Sequence, residues 1–208
     1  MFKNIESGLE LSIMPYTAEH KARTRAKIVE GARVMFNRHG FEQVSIDDIM
    51  QHVGLTRGGF YNHFKSKDEL YAEAVRSFTS CNPFARQQAN AKGPAPSRRE
   101  LAQMLVNLYL SDEVLADVDQ HCPLIALPSD VARAGLEPRA AYTTVVENMT
   151  HVFQAAFDPD DDDARRKALL MVGLCVGGMV IARTTDDPGL RQALRGAARR
   201  EALALLDP

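Results

Sequence analysis

The sequence predicts an all-α protein of about nine helices, because apolar residues recur at helical spacing along almost the whole chain. Two further observations favour this fold class. Serine and threonine residues stand where helices should begin, and several are followed three positions later by an acidic residue, as in a capping box. No segment shows the regular alternation of apolar and polar residues that is typical of a half-buried strand.

The chain divides into three regions. Residues 1–17 are expected to be a flexible arm or a misassigned start, since Met14 directly precedes Pro15. Residues 18–80 should form a three-helix bundle with a fourth, linking helix, and residues 97–208 a larger helical domain. The stretch between them contains Pro83, Gly93, Pro94 and Pro96, which is typical of a linker.

The first helix is expected over residues 18–39, with Gly40 just past its end. Its apolar stripe contains Ile28, Ala32, Met35 and Phe36. Ser45, with Asp48 three residues later, should cap a second helix. The buried face of that helix should contain Ile46, Ile49, Met50 and Val53.

Gly54 should form a tight turn, after which Thr56 begins a third, short helix. That helix offers only Phe60 and Phe64 as a clear apolar pair. A capping box starting at Ser66 opens the fourth helix. In the larger domain Ser97 should cap one helix, a short helix should cover residues 124–134, Pro138 should begin a long helix and Pro188 the last one.

Helices one to three, with the glycine turn between the second and third, are typical of a helix-turn-helix, whose third helix enters the DNA major groove. Gly58 and Gly59 each cost roughly 1 kcal/mol inside a helix relative to alanine. We therefore expect them where the backbone must approach a groove closely. A plain three-helix bundle is the alternative, although this mixture of aromatic, glycine and basic residues is a poor core and an unusual surface.

Side chains on the third helix that do not pack inward should reach bases or phosphates. The residues suited to this are Thr56, Arg57, Tyr61, Asn62 and His63. Arg57 can present its guanidinium to guanine O6 and N7. The amides that open helices at Ser45 and Lys67 are candidate phosphate sites, because helix N-termini bind anions. Lys65 and Lys67 add positive charge there.

The stretch from Arg25 to Val75 resembles the N-terminal domain of the TetR family of transcriptional regulators, including its AcrR-like members. The segment FYNHFKSKDEL carries the most specific part of the likeness. The other resembling residues are Ile28, Ala32, Phe36, Gly40, Phe41, Ser45, Ile46, Ile49, Gly54, Leu55 and Gly58. The resemblance implies an all-helical homodimer that binds a palindromic double-stranded operator and is released by a small-molecule effector.

The resemblance also implies roles for individual residues. Thr56, Arg57 and Gly58 fall where the family touches bases or nearby phosphates. Tyr61, Asn62 and His63 fall where it holds phosphates. Ser45 matches a phosphate-binding cap and Lys67 a phosphate-binding amide. Gly59 departs from the more usual alanine, serine or threonine, which puts a base contact from that position in doubt.

The run 169–182 is apolar on all sides, so it should be a buried helix, and it is too short to span a bilayer. The last helix should have an apolar face, with Arg191, Arg195, Arg199 and Arg200 opposite. These two helices should form half of a four-helix dimer interface. The candidate interface residues are Gly173, Gly177, Leu190, Leu194 and Ala197. The alternative is burial within one chain.

The middle helices supply candidates for a ligand pocket. They are Met104, Leu108, Tyr109, Cys122, Leu124, Leu127, Tyr142, Val146, Met149 and Phe153, with His121, Asn148 and His151 as polar residues that can orient a ligand. No acid or base cluster dominates, which favours a neutral, mainly apolar ligand.

Cys122 is a candidate redox or electrophile sensor. It follows His121 at an expected helix N-terminus, and both features lower the pKa of a thiol. The alternative is a small buried apolar residue. An enzyme is the competing function, with Cys122 as nucleophile and His121 or His151 as base, but no residue is evident that would orient the base. A ligand-free architectural module is a third possibility.

The composition limits the functional classes to which the protein can belong. The net charge is −2, with the basic residues of the N-terminal part gathered near the helix-turn-helix. Three widely spaced cysteines suggest neither a disulfide framework nor a zinc site and favour the cytoplasm. The acidic run 160–163 lacks the glycine and glutamate of a calcium-binding loop. We expect no metal, no cofactor, no membrane association and no enzymatic activity.

Overall fold

The computed structural model describes residues 18–81, 84, 90 and 92–207. Within these residues the chain forms eleven α-helices, one 3-10 helix (Val118–Gln120) and no strand. The α-helices are α1 (Ala18–Gln43), α2 (Ile46–His52), α3 (Arg57–Phe60), α4 (Lys67–Cys81), α5 (Arg98–Tyr109), α6 (Asp112–Ala116), α7 (Pro123–Ala126), α8 (Pro128–Arg133), α9 (Leu136–Gln154), α10 (Ala164–Thr184) and α11 (Pro188–Ala204).

The all-α prediction is therefore confirmed. The structure adds the short α6, and it divides the helix expected over residues 124–134 into α7 and α8 at Pro128. Proline is favoured in the first turn of a helix, where a backbone N–H would have no partner in any case. In the interior of a helix it removes a hydrogen bond and ends the helix before it. The expected arm, residues 1–17, lies outside the described residues, as does Pro83 of the expected linker.

The N-terminal bundle, α1 to α3, closes over an apolar core. Its buried residues are Ile28, Ala32, Phe36, Ile49, Met50, Val53, Phe60 and Phe64. The capping box between Ser45 and Asp48 is present with both hydrogen bonds. Gly40 (φ 77°) interrupts α1 and Gly54 (φ 69°) forms the turn after α2. Both angles lie where an L side chain is disfavoured, so these turns depend on glycine.

Helix α4 packs against α1 on one side and α9 on the other. Tyr71 of α4 is fully buried, and its ring meets Phe36 edge-on with centroids 5.0 Å apart. Phe41, just past the kink in α1, lies 4.6 Å from the same ring. Helix α4 therefore contacts both the N-terminal bundle and the larger helical part of the chain.

A polar clamp, formed by Arg33 and Asn37 of α1, joins α1 to the segment 118–121. Arg33 Nη1 donates to the carbonyl of Asp119 at 2.7 Å. Asn37 Nδ2 donates to the carbonyls of Asp119 (3.2 Å) and His121 (3.0 Å). Both side chains are buried. Because buried carbonyls need donors, these bonds fix the segment on the N-terminal bundle.

Helices α10 and α11 pack closely at Gly178, where an added Cβ would lie 2.8 Å from the Cβ of Ala198. The helical pattern places Arg195 on the polar outer face of the last helix, but in the structure its side chain is buried. It is only 6% exposed, and its Nη1 donates to the carbonyl of Leu110 at 3.1 Å while Nη2 pairs with Asp112. Arg195 therefore caps the end of α5, where the carbonyls have no helical partner.

Helix α10 has 21 residues, and by length and composition alone it could cross a membrane. The expectation that an apolar segment is too short for a bilayer concerns residues 169–182 alone, and the helix extends beyond this run at both ends. A core helix has the same composition, and Ala168, Met171, Cys175, Met179 and Ala182 of α10 are fully buried against the rest of the protein. The prediction that the run is buried on all sides is therefore correct for this face of α10 and wrong for the opposite face, where Leu170 and Ile181 are exposed.

The clamp generates a stability prediction. Asn37→Ala leaves the buried carbonyl of His121 without its donor, whereas the carbonyl of Asp119 keeps Arg33, so the free energy of unfolding should fall by about 1–3 kcal/mol in urea denaturation. The matched control is Arg38→Ala, which removes an exposed ion pair to Asp119 on the same segment (Nη2–Oδ2 2.6 Å). That change should cost much less, because exposed ion pairs contribute little. Equal losses in the two variants would contradict the role assigned to Asn37.

Candidate DNA-binding face and ligand pocket

Helix α3 is oriented by two aromatic side chains. Phe60, the last residue of α3, and Phe64, after the turn that follows it, are buried with their rings 5.6 Å apart, and this turns the other side of α3 outward. The candidate contact residues Thr56, Arg57, Gly58, Tyr61 and Asn62 are all exposed. Their exposure matches what a recognition helix needs, since a groove can be read only by side chains that are free of the core.

The two glycines of α3 differ in their surroundings. A Cβ at Gly59 would lie 3.7 Å from Met50, in ordinary contact, whereas one at Gly58 would meet no atom within 4 Å. Packing within the described residues therefore gives no reason for glycine at Gly58. An approach from outside the chain would give one, because a missing Cβ lets another molecule come closer to the backbone.

Arg57 is held in place by a contact that sequence reasoning missed. Its Nη1 lies 2.6 Å from Asp47 Oδ2 of α2, and both side chains are more than half exposed. The pair bridges the two helices of the helix-turn-helix. An exposed pair of this kind stabilises the fold little, but it limits the orientations that the guanidinium can adopt.

His63 is less accessible than the other candidates, because it is half-buried. Its pKa is lowered, first by burial and then by the charges of Lys21, Arg25 and His20. The neutral ring can donate one hydrogen bond but offers no positive charge. The backbone carbonyl of His63 accepts from Arg25, whose guanidinium lies over the Phe64 ring at 4.0 Å and pairs with a glutamate of α4. Sequence reasoning did not identify Arg25 as the residue that fixes this turn.

Lys67, which is expected to add positive charge at the start of α4, is only half-exposed. Its ammonium lies 4.1 Å from the centroid of the Phe41 ring, and burial lowers its pKa. The Lys67 backbone begins α4, as predicted. At Ser45 the hydroxyl and the amide are both engaged with Asp48. Lys65 remains exposed. The Ser45 amide is therefore already occupied within the chain, and Lys65 is the exposed lysine near the start of α4.

A cavity of about 170 Å³ lies between α4, α5, α9 and the segment 120–125. Five of the predicted residues line it, Leu108, Tyr109, Cys122, Leu124 and Met149, together with Asn148. The structure does not bring Met104, Leu127, Tyr142, Val146 or Phe153 to this wall. Phe153 and Leu127 are buried core residues, and the Tyr142 hydroxyl is directed to the carbonyl of Leu124 at 3.4 Å.

Other lining residues escaped sequence reasoning. They are Phe78, Thr79, Phe84, Leu105, Val114, Gln120, Ile125, Val145 and Val152. Phe78 could have been found, because it continues the apolar stripe of α4 beyond the length that the N-terminal bundle can cover. The others come from irregular segments or from helix faces whose direction depends on packing.

The expected activation of Cys122 is also wrong. The thiol is buried, and burial raises its pKa to about 12 despite opposing contributions from the Leu124 amide and the Tyr109 hydroxyl. His121 supplies no charge, because burial lowers its pKa and Nε2 contacts the carbonyl of Val114 at 2.7 Å. His151 is exposed, near Glu147. The geometry thus provides neither an activated nucleophile nor a base for the enzyme alternative.

An apolar surface remains open on α10 and α11. Leu170, Gly173 and Ile181 of α10 and Leu190 and Ala197 of α11 are exposed. A Cβ added at Gly173 or at Gly177 would meet no atom within 4 Å, so no described part of the chain packs there. Leu194 is half-buried between the two helices. We call this surface the α10–α11 face.

The sequence is similar to those of known transcriptional regulators. The family model for bacterial regulatory proteins of the tetR family matches residues 28–74. The HTH-type transcriptional regulator YfiR of Bacillus subtilis strain 168 is 36% identical over 147 residues, which cover 68% of this chain and 69% of YfiR. The HTH-type transcriptional regulator AcrR of Shigella flexneri is 26% identical over 174 residues, covering 78% of this chain and 80% of AcrR.

Solved structures share the fold. The reduced form of NemR from E. coli superposes with a TM-score of 0.69 at 13% identity, covering 88% of this chain and 96% of NemR. A TetR-family regulator from Agrobacterium tumefaciens gives a TM-score of 0.62 at 21% identity, covering 87% and 98% of the two chains. Since the likeness to YfiR continues far beyond the helix-turn-helix that the family model covers, the chain belongs to the TetR family of helix-turn-helix transcriptional regulators.

Proposed function

We propose that this regulator is a repressor that binds a palindromic operator as a homodimer and leaves it when an uncharged, mainly apolar molecule enters the cavity. The observation that carries the proposal is the outward side of α3 and of the turn after it, where Arg57, Tyr61 and Asn62 are exposed beside a glycine that packs against nothing within the described chain. Like other members of its family, the protein would act on DNA in the cytoplasm.

In this proposal Arg57 reads a base and its neighbours hold the backbone. Thr56 and Gly58 bring the start of α3 to the groove, while Tyr61, Asn62 and the neutral His63 donate hydrogen bonds to phosphates. The amide of Lys67 would mark one end of the phosphate contact, and the amide of Ser45 would mark the other only by exchanging its bond to Asp48 for a phosphate oxygen. Asp47 would keep the Arg57 guanidinium extended until guanine O6 and N7 replace part of its contact.

The α10–α11 face supports the homodimer. Two copies related by a twofold axis would cover the same face on each other, as an isologous interface requires. Gly173 and Gly177, with no side chain, would let two α10 helices approach closely. A twofold dimer presents two α3 helices to half-sites about one helical turn, roughly 34 Å, apart.

The cavity is connected to the N-terminal bundle by hydrogen bonds. Gln120 lines the cavity, and its Oε1 accepts from Nη2 of Arg33 in α1 at 3.2 Å. Phe78 and Thr79 bring the end of α4 to the same wall. A ligand that displaces either element would change the separation of the two α3 helices in a dimer. The ligand causes release from DNA only if it binds the displaced conformation more tightly than the DNA-binding conformation.

Arg57→Ala tests the base contact. In a mobility-shift titration on the DNA upstream of the protein's own gene, binding should weaken by about 1–3 kcal/mol, and preference at one base pair of each half-site should relax. The control is Arg166→Ala, which removes another exposed, ion-paired arginine at the start of α10. It should leave affinity and preference unchanged. Unaltered base preference in Arg57→Ala would refute the assignment.

Ile181→Glu tests the dimer. Ile181 is 52% exposed on the α10–α11 face. Two glutamates buried across a twofold axis repel each other and lack partners, so sedimentation equilibrium should show a shift to monomer and DNA affinity should fall. The control is Leu136→Glu, at an exposed apolar residue that begins α9. A dimer that persists in Ile181→Glu would place the interface elsewhere.

The thiol of Cys122 should be unreactive in the folded protein at neutral pH. Because its pKa is raised, the thiolate is rare at pH 7 and becomes more frequent as the pH rises towards 12. Labelling with N-ethylmaleimide, followed at this residue by peptide mass spectrometry, should be slow at pH 7 and faster at pH 9. Protein unfolded in guanidinium gives the reference rate. Native labelling as fast as this reference at pH 7 would restore the sensor hypothesis.

A further inference from the structure

Asp47 places a negative charge on the surface that is proposed to meet DNA. It lies in the first turn of α2, its side chain is 53% exposed, and Oδ2 accepts from Nη1 of Arg57 at 2.6 Å. The neighbouring Asp48 has a different task, since it completes the capping box with Ser45. Side-chain capping of α2 therefore does not account for the carboxylate of Asp47, which instead contacts the proposed base-reading arginine.

Other basic side chains beside α3 are also engaged within the chain. Arg25 pairs with Glu73, and the ammonium of Lys67 lies over the Phe41 ring, whereas Lys65 is exposed. Nonspecific binding to DNA is almost entirely electrostatic, so it grows with the number of cations that are free to neutralise phosphates. The internal pairing of these side chains thus restrains the attraction of this surface to DNA of any sequence.

Binding to guanine and binding to a phosphate place different demands on the pair of Asp47 and Arg57. A guanidinium has five N–H donors in a planar fork, and guanine O6 and N7 take only two of them. Arg57 can therefore hold a guanine and Asp47 at the same time. A phosphate brings its own negative charge towards Asp47, and such a juxtaposition of like charges is unfavourable. To bind a phosphate, Arg57 must either leave Asp47 or carry that carboxylate towards the DNA backbone.

We propose that Asp47 is a specificity-determining residue of the DNA-binding face, which holds Arg57 in position for guanine and lowers the affinity for DNA of other sequences. This inference rests on the proposed operator binding. Asp47 is a positioning residue, because it acts through Arg57 and by repelling phosphates and needs no base contact of its own. It sets the ratio of operator affinity to nonspecific affinity, since specificity is a difference between two binding free energies.

The test compares the affinities of the full chain for two duplexes. One is the site that the original protein selects from a random library of duplexes, and the other contains the same bases in shuffled order. Fluorescence anisotropy at several salt concentrations gives the dissociation constant for each duplex and its dependence on salt.

Asp47→Asn keeps the size of the side chain and removes its charge. Binding to the shuffled duplex should become about three- to tenfold tighter at about 0.1 M salt, and its logarithmic salt slope should steepen by up to about 0.9, the effect of one additional phosphate contact. The affinity for the selected duplex should change less, because Arg57 is already bound to guanine there. The ratio of the two affinities should therefore fall at least about threefold.

Asp163→Asn is the matched control, because it removes another exposed carboxylate that pairs with an arginine, at the start of α10. It changes the net charge equally and should leave both affinities unaltered. Asp47→Glu keeps the charge and should retain the low affinity for the shuffled duplex. When Arg57→Ala is already present, adding Asp47→Asn should not alter the base preference, because Asp47 acts on the bases only through Arg57.

Several results would overturn the inference. They are an unchanged or weaker affinity of Asp47→Asn for the shuffled duplex, equal tightening on both duplexes, or the same change in Asp163→Asn. Thermal melting followed by circular dichroism checks that each variant is folded. Should Asp47→Asn fail to fold, Asp47→Ser, which also removes the charge and keeps a polar side chain, replaces it in the same comparison.

The same measurements separate this inference from the proposed function. If the original protein selects no preferred duplex, the repressor function fails and the role of Asp47 falls with it. If the original protein selects a site and its preference over the shuffled duplex survives Asp47→Asn, only the role of Asp47 is removed.

Discussion

The orientation of α3 depends on the burial of Phe60 and Phe64, and the rest of the DNA-binding face depends on that orientation. A helix of four residues has almost no stability of its own, so its direction must be set by packing. With the two rings fixed beneath it, Arg57 and Tyr61 can point only outward. Arg25 strengthens the arrangement from the first helix, because it stacks on Phe64 and binds the backbone of the following turn.

The two halves of the molecule are joined through contacts that also reach the cavity. Helix α4 supplies Tyr71 to the N-terminal core and Phe78 to the cavity wall. Arg33 and Asn37 hold the segment 118–121, which carries Gln120 and leads directly into Cys122. A regulator of this kind needs two states that a ligand can separate, and a buried, directional hydrogen-bond network can favour one discrete arrangement over others.

Helices α10 and α11 pack against the rest of the chain on one side and are exposed on another. Gly178 and the buried Arg195 serve packing within the chain, because one lets α11 approach and the other satisfies the end of α5. Gly173 and Gly177 face open space on the same helix. The adjacent glycines Gly177 and Gly178 therefore have different roles, although the sequence pattern treats them alike.

The sequence alone determined the features that depend on residues within one or two helical turns of each other. Capping boxes placed the starts of α2 and α5, glycine placed the turn at Gly54, and helical periodicity identified the core of the first bundle and the outward face of α3. Only the tertiary structure decided which polar residues are buried, which glycine meets a neighbouring helix, and which of the expected residues reach the cavity. Arg195 contacts residues more than eighty positions away, and Cys122 acquires its raised pKa from a surrounding wall drawn from several helices. Periodicity gives the face of a helix on which a residue lies, but burial and pKa depend on what packs against that face, which is set by contacts between distant parts of the chain.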